Sequence, residues 1–253
     1  MARRHIVPIL CTSLFFSLAH AEVDDGIVPY RPTVSNPAQL SSAGQLELEF
    51  GGLSAKTGDV SRGSLPYLLK LAFNENWGVL LGGEAWVRNA NNGAVDRGFG
   101  DTTATLKRAF LMSESTALGL EFNVKAPTAN TAIGSGKVDY GINGIVSHDF
   151  DQIEIDLNLN ATHLGGTDAV EGAVQTGWAG SLAYTVNEKW EVDLEFSGTK
   201  RRLVPNTAQF LAAISYSPSN RMTVDIGIVK GLNSSSPDWA IFTGIVVPVT
   251  KFW

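Results

Sequence analysis

The chain contains a single cysteine, Cys11, near its start, so no intrachain disulfide and no thiolate metal cluster is open to it. Charge is also scarce: 17% of residues are charged, against about 25% in ordinary soluble domains. Yet beyond the first twenty or so residues no apolar run reaches the roughly 18 residues that a spanning helix requires. Low charge without a membrane helix points to a chain that alternates its apolar residues with polar ones. Basic residues are the minority sign, 19 Lys and Arg against 25 Asp and Glu, and that balance excludes nucleic acid as an expected partner. Linker-like stretches are missing too, so one large all-β domain is expected.

What is present begins with a secretory leader. Arg3 and Arg4 supply the positive start, Ile6 to Leu18 the apolar stretch, and Ala19-His20-Ala21 the small-x-small cleavage site. Residues 1–21 are expected to be removed near Ala21, taking Cys11 with them. The mature chain would start at Glu22 with 17 basic and 25 acidic residues, a formal charge of −8. Residues 22–43, rich in Pro, Ser and Asp, precede the first strand-like run and are expected either to lie in the periplasm or to fold into a lumen as a plug.

Alternation of period two runs through residues 44–253. Leu46, Leu48 and Phe50 share one face of Gln45 to Phe50, and Leu65, Tyr67, Leu69, Leu71 and Phe73 one face of Ser64 to Phe73. Trp77 to Arg88 presents Trp77, Val79, Leu81, Ala85 and Val87; Gly98 to Leu111 is a weaker strand; Thr116 to Ala126 shows Leu118, Leu120, Phe122 and Val124. Lys137 to His148, Ile153 to His163, Val174 to Val186, Trp190 to Thr199, Ala208 to Ser217, Met222 to Lys230 and Trp239 to Trp253 complete about twelve strands, an even number as single-chain bacterial barrels require. The last run carries Trp239, Ile241, Ile245, Val247 and Val249 on one face and closes on Trp253. An amphipathic strand ending in an aromatic residue is what the barrel-assembly machinery of the outer membrane engages, and its pairing with the first strand removes the open sheet edge.

The connections alternate in length. Asn74 to Asn76, Met112 to Ser115, Asp149 to Gln152, Asn187 to Lys189 and Pro218 to Arg221 are tight, whereas segments around Gly58, Asn91, Ile133, Thr167, Arg201 and Ser235 are expected to be longer. The fold class that follows is all-β: a transmembrane up-and-down antiparallel barrel of about 12 strands, with short periplasmic turns and longer extracellular loops. Trp77 and Trp190 directly follow tight turns, where an interfacial aromatic belt is anchored.

With apolar faces toward lipid, the opposite faces line a lumen. Glu154 and Asp156 on one strand and Glu191, Asp193 and Glu195 on another form an acidic wall, and the strand between them offers only Ala179, Ser181 and Ala183. Lys70, Arg88, Lys107 and Lys125 form a basic wall on the other side, with Asp101 beside Lys125 and Glu121 beside Lys107. Two outcomes are open: a transverse field across a wet channel, or salt bridges that fill a narrow barrel, because eight strands are packed with side chains and sixteen leave a pore. Lys200, Arg201 and Arg202 suit contact with lipopolysaccharide phosphates. Beyond residue 21 the histidines are His148 and His163, at opposite ends of adjacent strands, so no metal site is expected. Ser147 beside His148 lacks a third partner for hydrolysis, and Gly98 to Gly100 offers too little glycine for a phosphate loop. No cofactor and no enzymatic activity are expected.

Four stretches resemble the outer-membrane barrel family named for the meta-pathway of phenol degradation. They are Arg31-Pro32 with Gly44-Gln45-Leu46-Glu47; Gly98-Phe99-Gly100-Asp101 followed by Lys107; Lys125-Ala126-Pro127-Thr128; and Gly134-Ser135-Gly136 preceding Asp139. The resemblance implies a porin or transporter for small molecules, aromatic or otherwise apolar ones among them. The expectation is thus a passive channel in the outer membrane of a Gram-negative bacterium, bordered by lipid and lipopolysaccharide. The alternative is a non-conducting barrel used for surface binding or as a structural element, with recognition by loops around Asn91 and Ile133.

Overall fold

The computed structural model describes residues 26–167 and 172–253. The expected leader, residues 1–21, and its cleavage site lie outside them. Thirteen strands follow one another: β1 (Gln45–Thr57), β2 (Val60–Asn74), β3 (Trp77–Asn91), β4 (Ala94–Gly98), β5 (Thr102–Leu111), β6 (Thr116–Ala126), β7 (Asp139–Asp149), β8 (Ile153–His163), β9 (Val174–Asn187), β10 (Trp190–Arg201), β11 (Val204–Ser219), β12 (Met222–Gly231) and β13 (Trp239–Lys251). Each pairs antiparallel with its neighbour, and β1 pairs with both β2 and β13. Both short β4 and β5 pair with β3, so the two occupy one position and the sheet closes as a ring of twelve. The weak alternation of Gly98 to Leu111 has its reason here: Phe99 to Asp101 interrupts the stave. Closure leaves no unpaired edge to face lipid.

Alternation then sorts the side chains. Outside, Val79, Leu81, Phe122, Ile142, Leu194, Phe196, Ile226 and Ile241 are exposed as a lipid-facing band. Inside are buried Glu47, Glu49, Lys70, Lys107, Glu121, Ser147, Asp193, Glu195 and Asp225. Trp77 and Trp190 lie at the short-turn rim, where the Arg108 guanidinium stands 4.9 Å from the Trp77 ring and Tyr216 packs 4.6 Å from Trp190. Toward the outer rim an interior apolar cluster of Leu211, Ala213, Val229, Ala240 and Phe242, flanked by Leu53 and Ala55, fills one side of the barrel.

Three details depart from expectation. First, β3 carries a bulge: Leu65 pairs with Trp86 and Pro66 with Glu84, which leaves Ala85 as an extra residue. An inserted residue reverses alternation beyond it. Val87 is therefore buried and Trp86 exposed, and Arg88, expected in the lumen, shares the outward face of Trp86. Arg62 supplies the inward cation at this level, 2.5 Å from Glu84 and 2.9 Å from Asn89. Second, Gly58-Asp59, Asn92-Gly93 and Arg202-Leu203 close as two-residue turns where longer loops were expected. Beside them β1, β2, β3 and β11 run to 13–16 residues and β10 to 12, beyond the 9–11 that cross the membrane, so these hairpins rise past the outer surface as sheet. Asn92 and Gly93 both take positive φ, 47° and 88°, as a two-residue hairpin turn of matching twist requires. Third, the last strand ends at Lys251, after which the Phe252 amide donates to Gly44 O at 2.8 Å.

Candidate functional site

Residues 26–43 run inside the ring, and the inward side chains of the barrel meet them. The Tyr30 amide donates to Glu49 at 2.7 Å, and its ring lies between the ammonium groups of Lys70, 4.4 Å from the centroid, and Lys107, 4.1 Å away. The Arg31 guanidinium donates from Nε and Nη2 to the two oxygens of Asp225, both at 2.9 Å. Its path crosses paired glycines of β1 and β13: a Cβ on Gly244 would stand 2.2 Å from Arg31 Nε, and one on Gly51 2.9 Å from Nη1. Glycine at both positions makes the notch through which the side chain reaches its carboxylate.

The segment then turns at Thr33 to Asn36. The Val34 and Ser35 amides each donate to Glu195 Oε2 at 2.8 Å, and the Ser35 hydroxyl to Ser181 at 2.7 Å. Asn36 exchanges hydrogen bonds with Asn158 and donates to both oxygens of Glu121 at 3.1 Å. Beyond the turn the Ala38 amide donates to Ser147 Oγ at 2.7 Å, and its methyl sits among Ala117 and Ile145.

The cations expected as a basic wall are satisfied along their own side. Lys70 is 3.0 Å from Glu47 and 2.6 Å from Glu49, both on adjacent β1, and donates to Val28 O. Lys107, with 0% of its side chain exposed, is 3.3 Å from Glu121 and donates to Tyr30 Oη and Pro37 O. Lys125 joins Asp101, 3.2 Å, and Asp139, 2.7 Å, at the outer mouth and donates to Ser135; Asp101 in turn accepts the Ala129 amide. That hub binds three of the sequence motifs into one latch on the loop 127–138. The expected field between a basic and an acidic wall is thereby reduced on one side only: Lys70 and Lys107 are neutralised by adjacent acids, while Glu154, Asp156, Glu191 and Asp193 take part in no ion pair among the described residues. Asp156 accepts Ser147 Oγ and Asp193 accepts Ser215 Oγ.

Sequence reasoning named Arg31, Glu47 and Asp139 only as parts of motifs, with no place in the lumen, and missed Tyr30, Ser35 and Asn36 and, on the wall, Glu49, Asn143 and Asp225. The wall residues were readable: Glu47 and Glu49 alternate with Leu46 and Leu48, and Asp225 with Val224 and Ile226. The Ser147 hydroxyl faces the lumen on Ala38 and Asp156, whereas His148 Nδ1 is 2.8 Å from the Thr116 hydroxyl, so the two do not meet. Among the described residues no group of three or more potential ligands is placed to hold a metal ion. Lys200 and Arg202 are exposed and Arg201 half-buried at the outer turn between β10 and β11.

Three spaces follow the acidic side. A vestibule of about 580 Å³ opens at the short-turn rim, lined by Gly26, Pro29, Asn187, Lys189, Ser217 and Asn220. A middle cavity of about 330 Å³ lies between Val28 to Thr33 and Glu154, Asp156, Glu191 and Asp193. An outer cavity of about 200 Å³ is lined by Val34, Asn143, Asn160, Trp178, Ser197 and Thr207. The vestibule and the middle cavity share Ile27, Pro29, Arg31 and Glu191, but the middle and outer cavities share no lining residue. Between those two stands the turn that Ser35 fastens to Glu195 and Ser181.

A closed ring of twelve antiparallel strands, greasy outside and ionisable within, defines a porin-like barrel of the Gram-negative outer membrane. The chain belongs to the family described as "Putative MetA-pathway of phenol degradation", whose model matches residues 31–247. Among solved structures the chain is similar to an outer-membrane channel of the COG4313 group from Pseudomonas putida F1, at 14% identity and a TM-score of 0.63 over 90% of this chain and 98% of that one. It is also similar to the KdgM porin, 9% identical with a TM-score of 0.57 over 81% of this chain and 99% of the other, and to the NanC porin, 11% identical with a TM-score of 0.57 over 81% and 100%. No curated protein matches the chain.

Proposed function

We propose that the protein is a gated channel for passive passage of small solutes across the outer membrane, with residues 26–43 as its plug. The observation that carries this reading is the stacking of two cavities on either side of a single hydrogen-bonded turn, Thr33 to Asn36, inside a closed barrel. A barrel serving only as scaffold has no need of spaces on either side of a hydrogen-bonded partition. The plug is held mainly by polar contacts to the wall, the buried Arg31–Asp225 pair among them, with Tyr30 and Ala38 as buried anchors.

The solute reading follows from the lining. One fold neighbour was solved with disordered oligogalacturonate, a polyanion; the acid-lined middle cavity here carries the wrong sign for such a solute. Small neutral or cationic molecules, with apolar bodies allowed by Ile27, Val28, Pro29 and Pro37, suit the space better. At the outer turn, Lys200, Arg201 and Arg202 are assigned to lipopolysaccharide phosphates; lipopolysaccharide retained undiminished by Lys200→Ala/Arg202→Ala would remove that assignment.

Planar-bilayer recording on the full chain and on a variant lacking residues 26–43 tests the channel. Rare or small conductance steps are expected from the full chain and frequent, larger steps from the variant, whose folding is checked by heat-modifiable gel mobility. A folded variant that passes no current would instead support the non-conducting barrel.

A further inference from the structure

The middle cavity pairs four acidic side chains with an opposite wall in which apolar plug residues outnumber the polar Arg31, Thr33 and Gln39. Glu154, Asp156, Glu191 and Asp193 face it from β8 and β10, while Ile27, Val28, Pro29, Tyr30 and Pro37 close it from the plug. Arg31 is the cation on its border, and the guanidinium is already spent on both oxygens of Asp225. The other cations nearest the plug, Lys70 and Lys107, hold their own adjacent carboxylates.

Asp193 sharpens the case. It is only 3% exposed, and one of its oxygens receives the Ser215 hydroxyl. Among the described residues no donor reaches the second oxygen, and Asp193 lines the cavity. A carboxylate this far from bulk water is costly unless it takes up a proton or a positive partner meets it. The space itself, about 330 Å³, falls at the lower end of small-molecule sites. A bare metal ion does not fit the pattern, because the four carboxylates stand on two strands with β9 between them and form no cluster with ligand geometry among the described residues. An ammonium group on a compact apolar body does: the charge sits against Asp193 and Glu191, and the body lies on Pro29 and Pro37.

We infer that the space between plug and acidic wall is a binding site for a small organic cation, a primary ammonium carried on an apolar body. The site deepens the channel reading by naming the class of solute, and it lies on the periplasmic side of the Ser35 partition. A solute held there stands beside Arg31 and under the turn, where it competes with the contacts that keep the plug seated.

The experiment uses the full chain in a zwitterionic detergent, titrated calorimetrically with cyclohexylammonium, cyclohexanol, cyclohexanecarboxylate and sodium. Cyclohexylammonium is expected to bind saturably and at least tenfold more tightly than cyclohexanol, with no heat from the carboxylate. The variant Glu191→Gln/Asp193→Asn, which keeps side-chain shape and an acceptor for Ser215, is expected to lose at least tenfold in that affinity while running as a folded barrel. Equal binding of the amine and the alcohol would overturn the inference, as would sodium matching the amine or a folded variant binding like the parent. Conductance by a chain that fails to bind the amine refutes this site and leaves the channel standing; binding without conductance does the reverse.

Discussion

Removing the Asp225 carboxylate charge is the sharpest way to unseat the plug. Asp225→Asn keeps the side-chain volume but leaves the Arg31 guanidinium in its glycine notch without a counter-charge. The pair is well buried, with 17% of the Arg31 side chain and 1% of the Asp225 side chain exposed, and both contacts are 2.9 Å. Breaking such a pair by removing one partner costs about 3–5 kcal/mol, and the partial exposure of Arg31 argues for the lower end. Because about 1.4 kcal/mol is a tenfold change in an equilibrium constant, about 3 kcal/mol shifts the seated-to-unseated ratio about 100-fold. The shift is read directly by placing one thiol on the plug, Ser35→Cys, in a chain with Cys11 removed, and following maleimide labelling in reconstituted vesicles. Ser35 is fully buried beside Glu195, so labelling reports unseating. Labelling rate and open probability should both rise by about two orders of magnitude on adding Asp225→Asn. Rates within threefold of the parent, with the barrel folded, would refute the idea that this pair holds the plug.

Other substitutions probe the same arrangement. Gly244→Ala places a methyl in the path of Arg31 and should raise open probability much as Asp225→Asn does; combined with Arg31→Ala it should add little, since both act on one contact. Lys107→Met leaves Glu121 buried with only amide donors, at a cost of about 3 kcal/mol or more, which should appear as a lowered urea midpoint and be largely restored by adding Glu121→Gln. At the outer mouth Lys125 is 24% exposed, so Asp101→Asn should change stability by less than about 1 kcal/mol, yet it should speed tryptic cleavage at Lys137 by loosening the loop 127–138.

Much of the barrel was legible because lipid imposes a strict rule: every strand must alternate, and a one-residue error turns a whole face the wrong way. The starts and ends of β6 and β8 coincide with the expected strands, and inward Glu154, Asp156, Asp193 and Glu195 follow from parity alone. Arg88 shows where that rule fails. A single unpaired residue, Ala85, reverses the faces beyond it, and the signals that go with the bulge, Pro66 on the partner strand and Gly82-Gly83 before it, do not fix which residue is the extra one. The two-residue turns at Gly58-Asp59 and Arg202-Leu203 were hidden for a related reason: polar residues continue the sheet beyond the membrane as easily as they form a loop.

Except beyond the bulge in β3, the amino-acid sequence by itself determined which strand residues meet lipid and which meet the lumen, because that choice depends on spacing along one strand. The tertiary structure decided what the lumen charges do there. Whether Lys70 bridges the barrel or stays with Glu47 and Glu49, and whether Asp193 finds a cation, depends on what occupies the space between the walls. The occupant is a segment distant in sequence from most of the wall it touches, and its fit to Gly51, Gly244, Asp225 and Glu195 exists only once the ring has closed.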